Sequence, residues 1–271
     1  MGHPKTEKLE KMGLTAPELA RLSVQVTPPV ARIVLRHPPL NVIDIAMMDE
    51  LAGTIARITD IADVWIVVIT GQGKAFSAGV DVMAHTPENV KEMLSKFHEV
   101  IRELVITRKV TLAAVHDLCL GGAAELMMAC DIVYTTDSAQ WGFPEIKLGC
   151  YPPVACTALA ALVGQKRAAE LILTGRTISG TEAAEIGLAT RAVPDGELES
   201  AVAECTEHLS KLSPAALRIT KKASYAWDSM HFDKGLARAE KIYVEDLMET
   251  TDAQEGIRAF MEKREPKWSG K

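Results

Sequence analysis

The stretch Ala113–Leu148, AAVHDLCLGGAAELMMACDIVYTTDSAQWGFPEIKL, decides how the rest of the chain is read. Thr111 to Val115 is a short, β-leaning apolar run, and from Gly121 onward Ala123, Ala124, Leu126, Met127, Met128 and Ala129 are strong helix formers. Strand therefore gives way to helix across Leu118-Cys119-Leu120-Gly121-Gly122. Glycines there let another group approach the backbone closely, and the first amides of a helix lack internal partners at the positive end of its dipole. An anionic oxygen would be held there by a backbone N–H. Glu125, on the first turn, is electrostatically comfortable, and taken alone it reads as a cap and nothing more.

The second half of the stretch changes that reading. Asp131 to Thr135 has the composition of a strand, residues 140–143 form its exit, and Pro144 fixes the backbone just before Glu145. A carboxylate set between Phe143, Pro144 and Ile146 is costly to leave unpaired beside apolar groups, so Glu145 is expected to be half buried. Two glutamates on consecutive strand-to-helix units can face each other. A nearby pair of carboxylates pushes one pKa upward, so that one holds a proton while the other is ionised.

The spacing of Leu120-Gly121-Gly122-x-x-Glu125, Cys130-Asp131-Ile132 and Pro144-Glu145-Ile146-x-Leu148-Gly149 resembles the crotonase (enoyl-CoA hydratase/isomerase) superfamily. So does Lys74-Ala75-Phe76-Ser77-Ala78-Gly79-Val80-Asp81, and the likeness runs from about Leu22 to Trp268. The resemblance implies an α/β fold: a spiral of repeated ββα units with a C-terminal helical region that builds trimers, often paired into hexamers. It also implies two backbone amides that polarise an acyl-CoA thioester carbonyl, which fall on Val80 and Gly122, and two hydratase glutamates, which fall on Glu125 and Glu145. Substrate contacts are implied at Leu40, Val42, Ala78, Asp81, Gly121, Phe143 and Pro152. Lys263 aligns with a family lysine that reaches a CoA phosphate, commonly across a subunit boundary.

Composition narrows the alternatives. A chain of 271 residues, 48% hydrophobic and 24% charged, can bury a sizeable core. A net charge of −6 argues against a broad nucleic-acid or anionic-membrane surface, which needs clustered Lys and Arg. That also disfavours the RNA-binding role taken on by some proteins of this fold. Cys119, Cys130, Cys150, Cys156 and Cys205 form an odd set without C-x-x-C spacing, suggesting reduced, mostly buried thiols rather than disulfides or zinc. No run reaches the roughly 18 apolar residues of a spanning helix, and Met1 to Arg21 is charged and interrupted, unlike a signal sequence. A cytoplasmic protein is expected, with a partly ordered extension over 1–21, a core over 22–197 and helical oligomerisation segments over 198–271.

Outside the central stretch, Leu22–Val26 and Ala31–Arg36 read as a hairpin around Pro28-Pro29, and Asp44 caps a helix with Met47, Met48, Leu51, Ile55 and Ile58 on one face. Residues 62–70 contain the apolar run of a strand covered on both sides. Gly71-Gln72-Gly73-Lys74-Ala75-Phe76 imitates the opening of a dinucleotide fingerprint, but Phe76 replaces the third glycine and no helix opens there. Residues 87–109 repeat apolar positions at helical spacing, and His85 and His98 read as ordinary surface or core residues. His116-Asp117 is a poor charge relay, because adjacent strand residues point to opposite faces. After Glu145, Pro152-Pro153 is expected to stiffen a loop bordering the acyl group, with helices over 157–163, 165–174, 181–186, 198–212, 214–227, 233–249 and 252–264. Met248, Ile257, Phe260 and Met261 are apolar positions that one chain alone is expected to leave uncovered.

The reaction implied is addition of water to an α,β-unsaturated acyl-CoA, with no metal or redox cofactor. Glu125 would chiefly serve the water and Glu145 the carbon proton, each contributing on the order of 10² to 10⁴ in rate. An isomerase works with one acidic residue, so two glutamates favour hydration. Residues 41–47, 119–122, 152–153 and 242–248 further resemble the cyclohexa-1,5-diene-1-carbonyl-CoA hydratases of anaerobic aromatic degradation, which implies 1,4-addition to a cyclic dienoyl-CoA. A linear enoyl-CoA hydratase or an isomerase is the alternative.

Overall fold

The computed structural model describes residues 19–225 and 229–269, with the backbone alone over 229–232. Residues 1–18 of the N-terminal extension, and with them all but Leu19 of the helix start expected at 15–19, lie outside the described residues. Its end is tied down: the amides of Ala20 and Arg21 donate to the Glu50 carboxylate at 2.8 and 2.9 Å.

A six-stranded sheet forms the floor. The hairpin β1 (Leu22–Thr27) and β2 (Val30–Leu35) supplies its one antiparallel pair, and β3 (Ile66–Gly71), β4 (Val110–Val115), β6 (Ile132–Thr136) and β9 (Arg191–Val193) continue it in parallel, in the order β1-β2-β3-β4-β6-β9. Alternation at period two explains the unbroken apolar runs. Ile66, Val68, Leu112 and Ala114 pack under helix α7 (Leu198–Ser210), with Leu198, Val202 and Leu209. Their neighbours Val67, Ile69, Ala113 and Val115 point to the larger core, shared with α1 (Ile45–Thr59) and α2 (Val90–Ile106). Asp44 caps α1 as expected, accepting from the Met47 amide at 2.9 Å.

A second, three-stranded sheet stands over the first: β5 (Leu118–Leu120), β7 (Gln140–Gly142) and β8 (Thr177–Ser179), with β7 in the middle. Ser77 bridges Cys119 in parallel and extends this layer by one position. The repeat is thus a strand in the large sheet, a strand or bridge in the small one, then a helix or helical turn. β4, β5 and α3 (Gly122–Met128) make one such unit; β6, β7 and the 3-10 turn Pro144–Leu148 make the next. This is the expected ββα spiral, and it delivers Glu125 and Glu145 from successive units.

Two expectations are corrected after Glu145. The Pro152-Pro153 segment is a helix start rather than a stiff loop: Pro153 is the first residue of α4 (Pro153–Val163), where its missing N–H costs nothing. The helix therefore begins four residues before the expected start at 157. The expected helix 233–249 is divided, α9 (Ser229–Ile242) passing into a π-helical turn at Tyr243–Leu247. α5 (Gln165–Thr174), α6 (Gly180–Glu185), α8 (Pro214–Ser224) and α10 (Thr251–Met261) complete the chain. Met248 and Ile257 are buried against the chain's own core, so the expectation that all four C-terminal apolar residues lie uncovered holds only for Phe260 and Met261. No helix among the described residues is long and apolar enough to cross a membrane.

Candidate active site

Glycine geometry brings two backbone segments together. Gly79 has φ 100°, and a Cβ there would stand 2.6 Å from the Leu120 carbonyl oxygen. The amide of Ser77 donates to Leu118 at 2.9 Å and that of Leu120 returns to Ser77 at 3.2 Å. Beyond this seam Val80 adjoins Gly122: a Cβ on Gly122 would meet Val80 Cγ2 at 2.5 Å. The amides of Val80 and Gly122 donate to no other group among the described residues, while those of Ala78, Gly79, Asp81 and Gly121 are all committed.

Sequence reasoning did not single out Asn41 or Ser77, which hold this seam in place. Asn41 is fully buried at φ 51°, and its Nδ2 donates to the carbonyls of Gln72, Ala75 and Phe76 at 2.9, 2.8 and 3.2 Å. Ser77 Oγ donates to the Asn41 carbonyl at 2.7 Å and accepts from the Gly79 amide at 3.1 Å. The available signal was an asparagine inside an otherwise apolar connection.

Glu125 is 3% exposed, and its carboxylate turns away from the amides of its own helix. Its Oε1 accepts from the Ala155 amide at 2.9 Å, so the carboxylate sits on the N-terminus of α4, thirty residues on. Burial pushes the pKa of Glu125 up to about 7, and hydrogen bonds from the Ala155 and Val154 amides restrain the rise. Glu145 has no such anchor. The residue as a whole is half-buried, but its Oε2 is buried without a hydrogen-bond partner among the described residues. Burial first, and then the charge of Glu125, push its pKa well above the usual carboxylate range. The pair therefore divides as an acid and a base near neutrality: Glu145 keeps a proton, while Glu125 is poised to exchange one.

Both carboxyl groups open on a cavity of about 440 Å³, as do Val80 and Gly122. Ala78, Gly121 and Pro152 line it too. Five other expected contacts lie elsewhere in the chain. Leu40 acts through its carbonyl, which accepts from the Ala78 amide at 2.9 Å. The Val42 carbonyl faces His37 Nδ1 at 2.7 Å, and the Asp81 carboxylate caps the turn Val82–His85 by accepting from the Met83 amide at 3.0 Å. Phe143 is buried in the core, because the exit of β7 turns its ring inward. Lys263 is exposed just beyond α10 at φ 53°, whereas the adjoining Arg264 and Phe260 line the cavity. His116 Nε2 lies 3.1 Å from the Gly73 carbonyl, away from both glutamates.

Residues 26–271 match the sequence profile of the enoyl-CoA hydratase/isomerase family. The chain belongs to that family. Among curated relatives, a cyclohexa-1,5-dienecarbonyl-CoA hydratase from Thauera aromatica is 32% identical over 240 residues, covering 89% of this chain and 93% of the relative. A probable enoyl-CoA hydratase from Bacillus subtilis is also 32% identical, over 256 residues, with 92% and 98% covered. Among solved structures, an enoyl-CoA hydratase from Mycobacterium avium subsp. paratuberculosis superposes with a TM-score of 0.84 at 25% identity, covering 93% of this chain and 99% of that one. The crotonase-type resemblance of the central stretch and the fold thus identify one family of enzymes.

Proposed function

We propose that this protein is a hydro-lyase that adds water to an unsaturated acyl-CoA, with Glu125 and Glu145 as its acid–base pair. The observation that carries the reading is the division of labour in one cavity: a carboxylate held by α4 amides beside a buried, unpaired carboxyl group. The thioester oxygen accepts from the Val80 and Gly122 amides, whose preorganised dipoles stabilise the enolate formed next, roughly 3 kcal/mol from each. Glu125 takes a proton from water as the water oxygen bonds to the β-carbon. Glu145 then gives its proton to carbon, and proton transfer between the two carboxyls through solvent restores the starting state. No metal or redox group is called upon.

For the acyl group we propose cyclohexa-1,5-diene-1-carbonyl-CoA, giving 6-hydroxycyclohex-1-ene-1-carbonyl-CoA. Water adds at C2, the dienolate spreads from the thioester oxygen over C1, C6 and C5, and protonation at C5 leaves a C1–C6 double bond. Support comes from the likeness of residues 41–47, 119–122, 152–153 and 242–248 to hydratases of that substrate, and from the Thauera relative. Equal identity to a Bacillus enoyl-CoA hydratase keeps a linear substrate as the second reading. We propose in addition a homotrimer or paired trimers, which the exposed Phe260 and Met261 at the end of α10 would help to build.

The test follows ultraviolet absorbance of crotonyl-CoA and the cyclic dienoyl-CoA with the purified protein, in D₂O as well as water. Faster turnover of the cyclic substrate with deuterium at C5 is expected. Equal or better turnover of crotonyl-CoA removes the cyclic assignment and leaves hydration standing; no turnover of either removes both.

A further inference from the structure

The cavity contains a second buried polar group that the scheme above does not use. Tyr243, on the π-helical turn after α9, is 1% exposed and lines the cavity, and among the described residues its hydroxyl has no hydrogen-bond partner. Leaving a hydroxyl unpaired in such a place costs free energy, so its presence calls for a ligand atom. The ring is held firmly. It meets Tyr151 edge to face at 5.0 Å between centroids, and Tyr151 is itself anchored by donating from its hydroxyl to the Ala239 carbonyl at 2.6 Å.

What surrounds the hydroxyl shows where it points. The Cys150 thiol stands beside it, and Cys150 is joined to the catalytic turn, its amide donating to the Glu145 carbonyl at 3.0 Å. The thiol proton is directed at the Leu148 carbonyl, 3.6 Å away, so Cys150 offers Tyr243 only a weak sulfur acceptor. Tyr243 and Glu145 both line the cavity, and Cys150, beside the hydroxyl, links the Tyr243 side of it to the Glu145 turn. Two orphaned oxygens, Glu145 Oε2 and Tyr243 Oη, thus share one apolar chamber.

We propose that Tyr243 is a specificity-determining residue whose hydroxyl, together with Glu145, binds the oxygen that the reaction adds: the water before addition and the product hydroxyl after it. This rests on the hydratase reading and goes beyond it, since it gives the site a third oxygen-binding group, from the C-terminal segment. An oxygen between the two groups donates to one and accepts from the other, and both buried atoms are satisfied. Ligands that carry a hydroxyl at that carbon are therefore held in preference to those that lack it. An apolar acyl chain leaves the same two atoms unpaired and is disfavoured.

The test is Tyr243→Phe, which keeps the ring and its contact with Tyr151. Calorimetric titration compares two matched pairs: 6-hydroxycyclohex-1-ene-1-carbonyl-CoA with cyclohex-1-ene-1-carbonyl-CoA, and 3-hydroxybutyryl-CoA with butyryl-CoA. In the pair the site accepts, Tyr243→Phe is expected to weaken the hydroxylated member roughly 5- to 10-fold and to change the other by less than twofold. Hydration kcat falls by a similar factor. Removing an unpaired hydroxyl also leaves the thermal midpoint of the ligand-free protein unchanged or raises it by roughly 2 °C, whereas loss of a structural hydrogen bond would lower it. Equal weakening of both members, or no weakening of the hydroxylated one, overturns the proposal while wild-type hydration still stands. Failure of the wild-type protein to bind any of the four thioesters overturns the hydratase reading and this inference with it.

Discussion

Gly121 and Glu145 are fitted to each other: a Cβ on Gly121 would stand 2.5 Å from Glu145 Oε1 and 3.2 Å from the carboxyl carbon. The glycine is held there because its amide donates to the Gly142 carbonyl at 2.8 Å, and its φ of 53° with ψ of −127° suits no side-chain-bearing residue. Gly121→Ala therefore strains the backbone by roughly 1–3 kcal/mol and drives the acid out of its position. The variant is expected to fold with a lowered thermal midpoint and to lose on the order of 10² in kcat, the usual cost of a reacting group displaced by about 1 Å. Wild-type kcat in steady-state assays would show that the carboxyl of Glu145 is not where the chemistry occurs.

Replacing either carboxyl by an amide separates its charge from its shape. Glu125→Gln can still accept from the Ala155 amide through its carbonyl oxygen, so α4 keeps its start. Glu145→Gln fills the same space. Each variant is expected to lose on the order of 10² to 10⁴ in kcat while binding acyl-CoA nearly as well, and the double variant to lose little more than the worse single one. Product formation under single-turnover conditions checks this, and a fully active Glu125→Gln would assign the base to another group.

Activity should follow pH with a rise and a fall. Glu125 acts as a base when ionised, and burial has moved its pKa to about 7, so kcat increases as pH rises through that region. Glu145 must keep its proton, and burial and the charge of Glu125 have raised it well above the usual range, so the falling limb lies higher. The sign for stability is opposite to that of an ion-paired carboxylate. Between 4.5 and about 7 the folded protein holds a proton on Glu125 that the unfolded chain has lost, so this group's contribution to stability is full below 4.5 and is lost as pH rises through about 7, and the raised Glu145 extends the decline to higher pH. Glu125→Gln should flatten that part of the decline in urea unfolding followed across this range. A slope equal to wild type would place the titrating group elsewhere.

The parts of this site that could be read from sequence are those with local causes. The apolar runs of β3 and β4, the cap at Asp44 and the Gly121-Gly122 turn each follow from a few neighbouring residues, and so does the idea that Glu145 sits in an apolar turn. What escaped depends on approach between distant segments. Glu125 looked like a cap because its own helix offered amides, yet its bond goes to Ala155 on α4. Pro153 was read as stiffening a loop, yet it opens a helix. Phe143 lies beside Glu145 in sequence but faces the core, while Tyr243, almost a hundred residues further on, faces the cavity. Only the folded chain places a residue of the π-helical turn beside the loop that follows Glu145.

Asn41 offers the sharpest separation of scaffold from chemistry, because none of its hydrogen-bond partners among the described residues lines the cavity. Its side chain is the common partner of the carbonyls of Gln72, Ala75 and Phe76, and its own carbonyl holds Ser77. Asn41→Ala leaves three carbonyls, those of Ala75 and Phe76 buried and that of Gln72 partly so, with one donor group fewer and keeps a left-handed φ of 51° that alanine tolerates poorly. Destabilisation of about 2–4 kcal/mol is expected from the two effects together. The loop that carries the Val80 amide would lose its tether, so kcat should fall as well, while the pH at which kcat rises stays fixed because neither carboxyl environment has changed. Urea unfolding and a pH–rate profile measured on the same preparation decide the matter. A shifted profile would mean that Asn41 acts on the glutamates themselves, and unaltered stability would mean that the loop is held by Ser77 and its strand pairing alone.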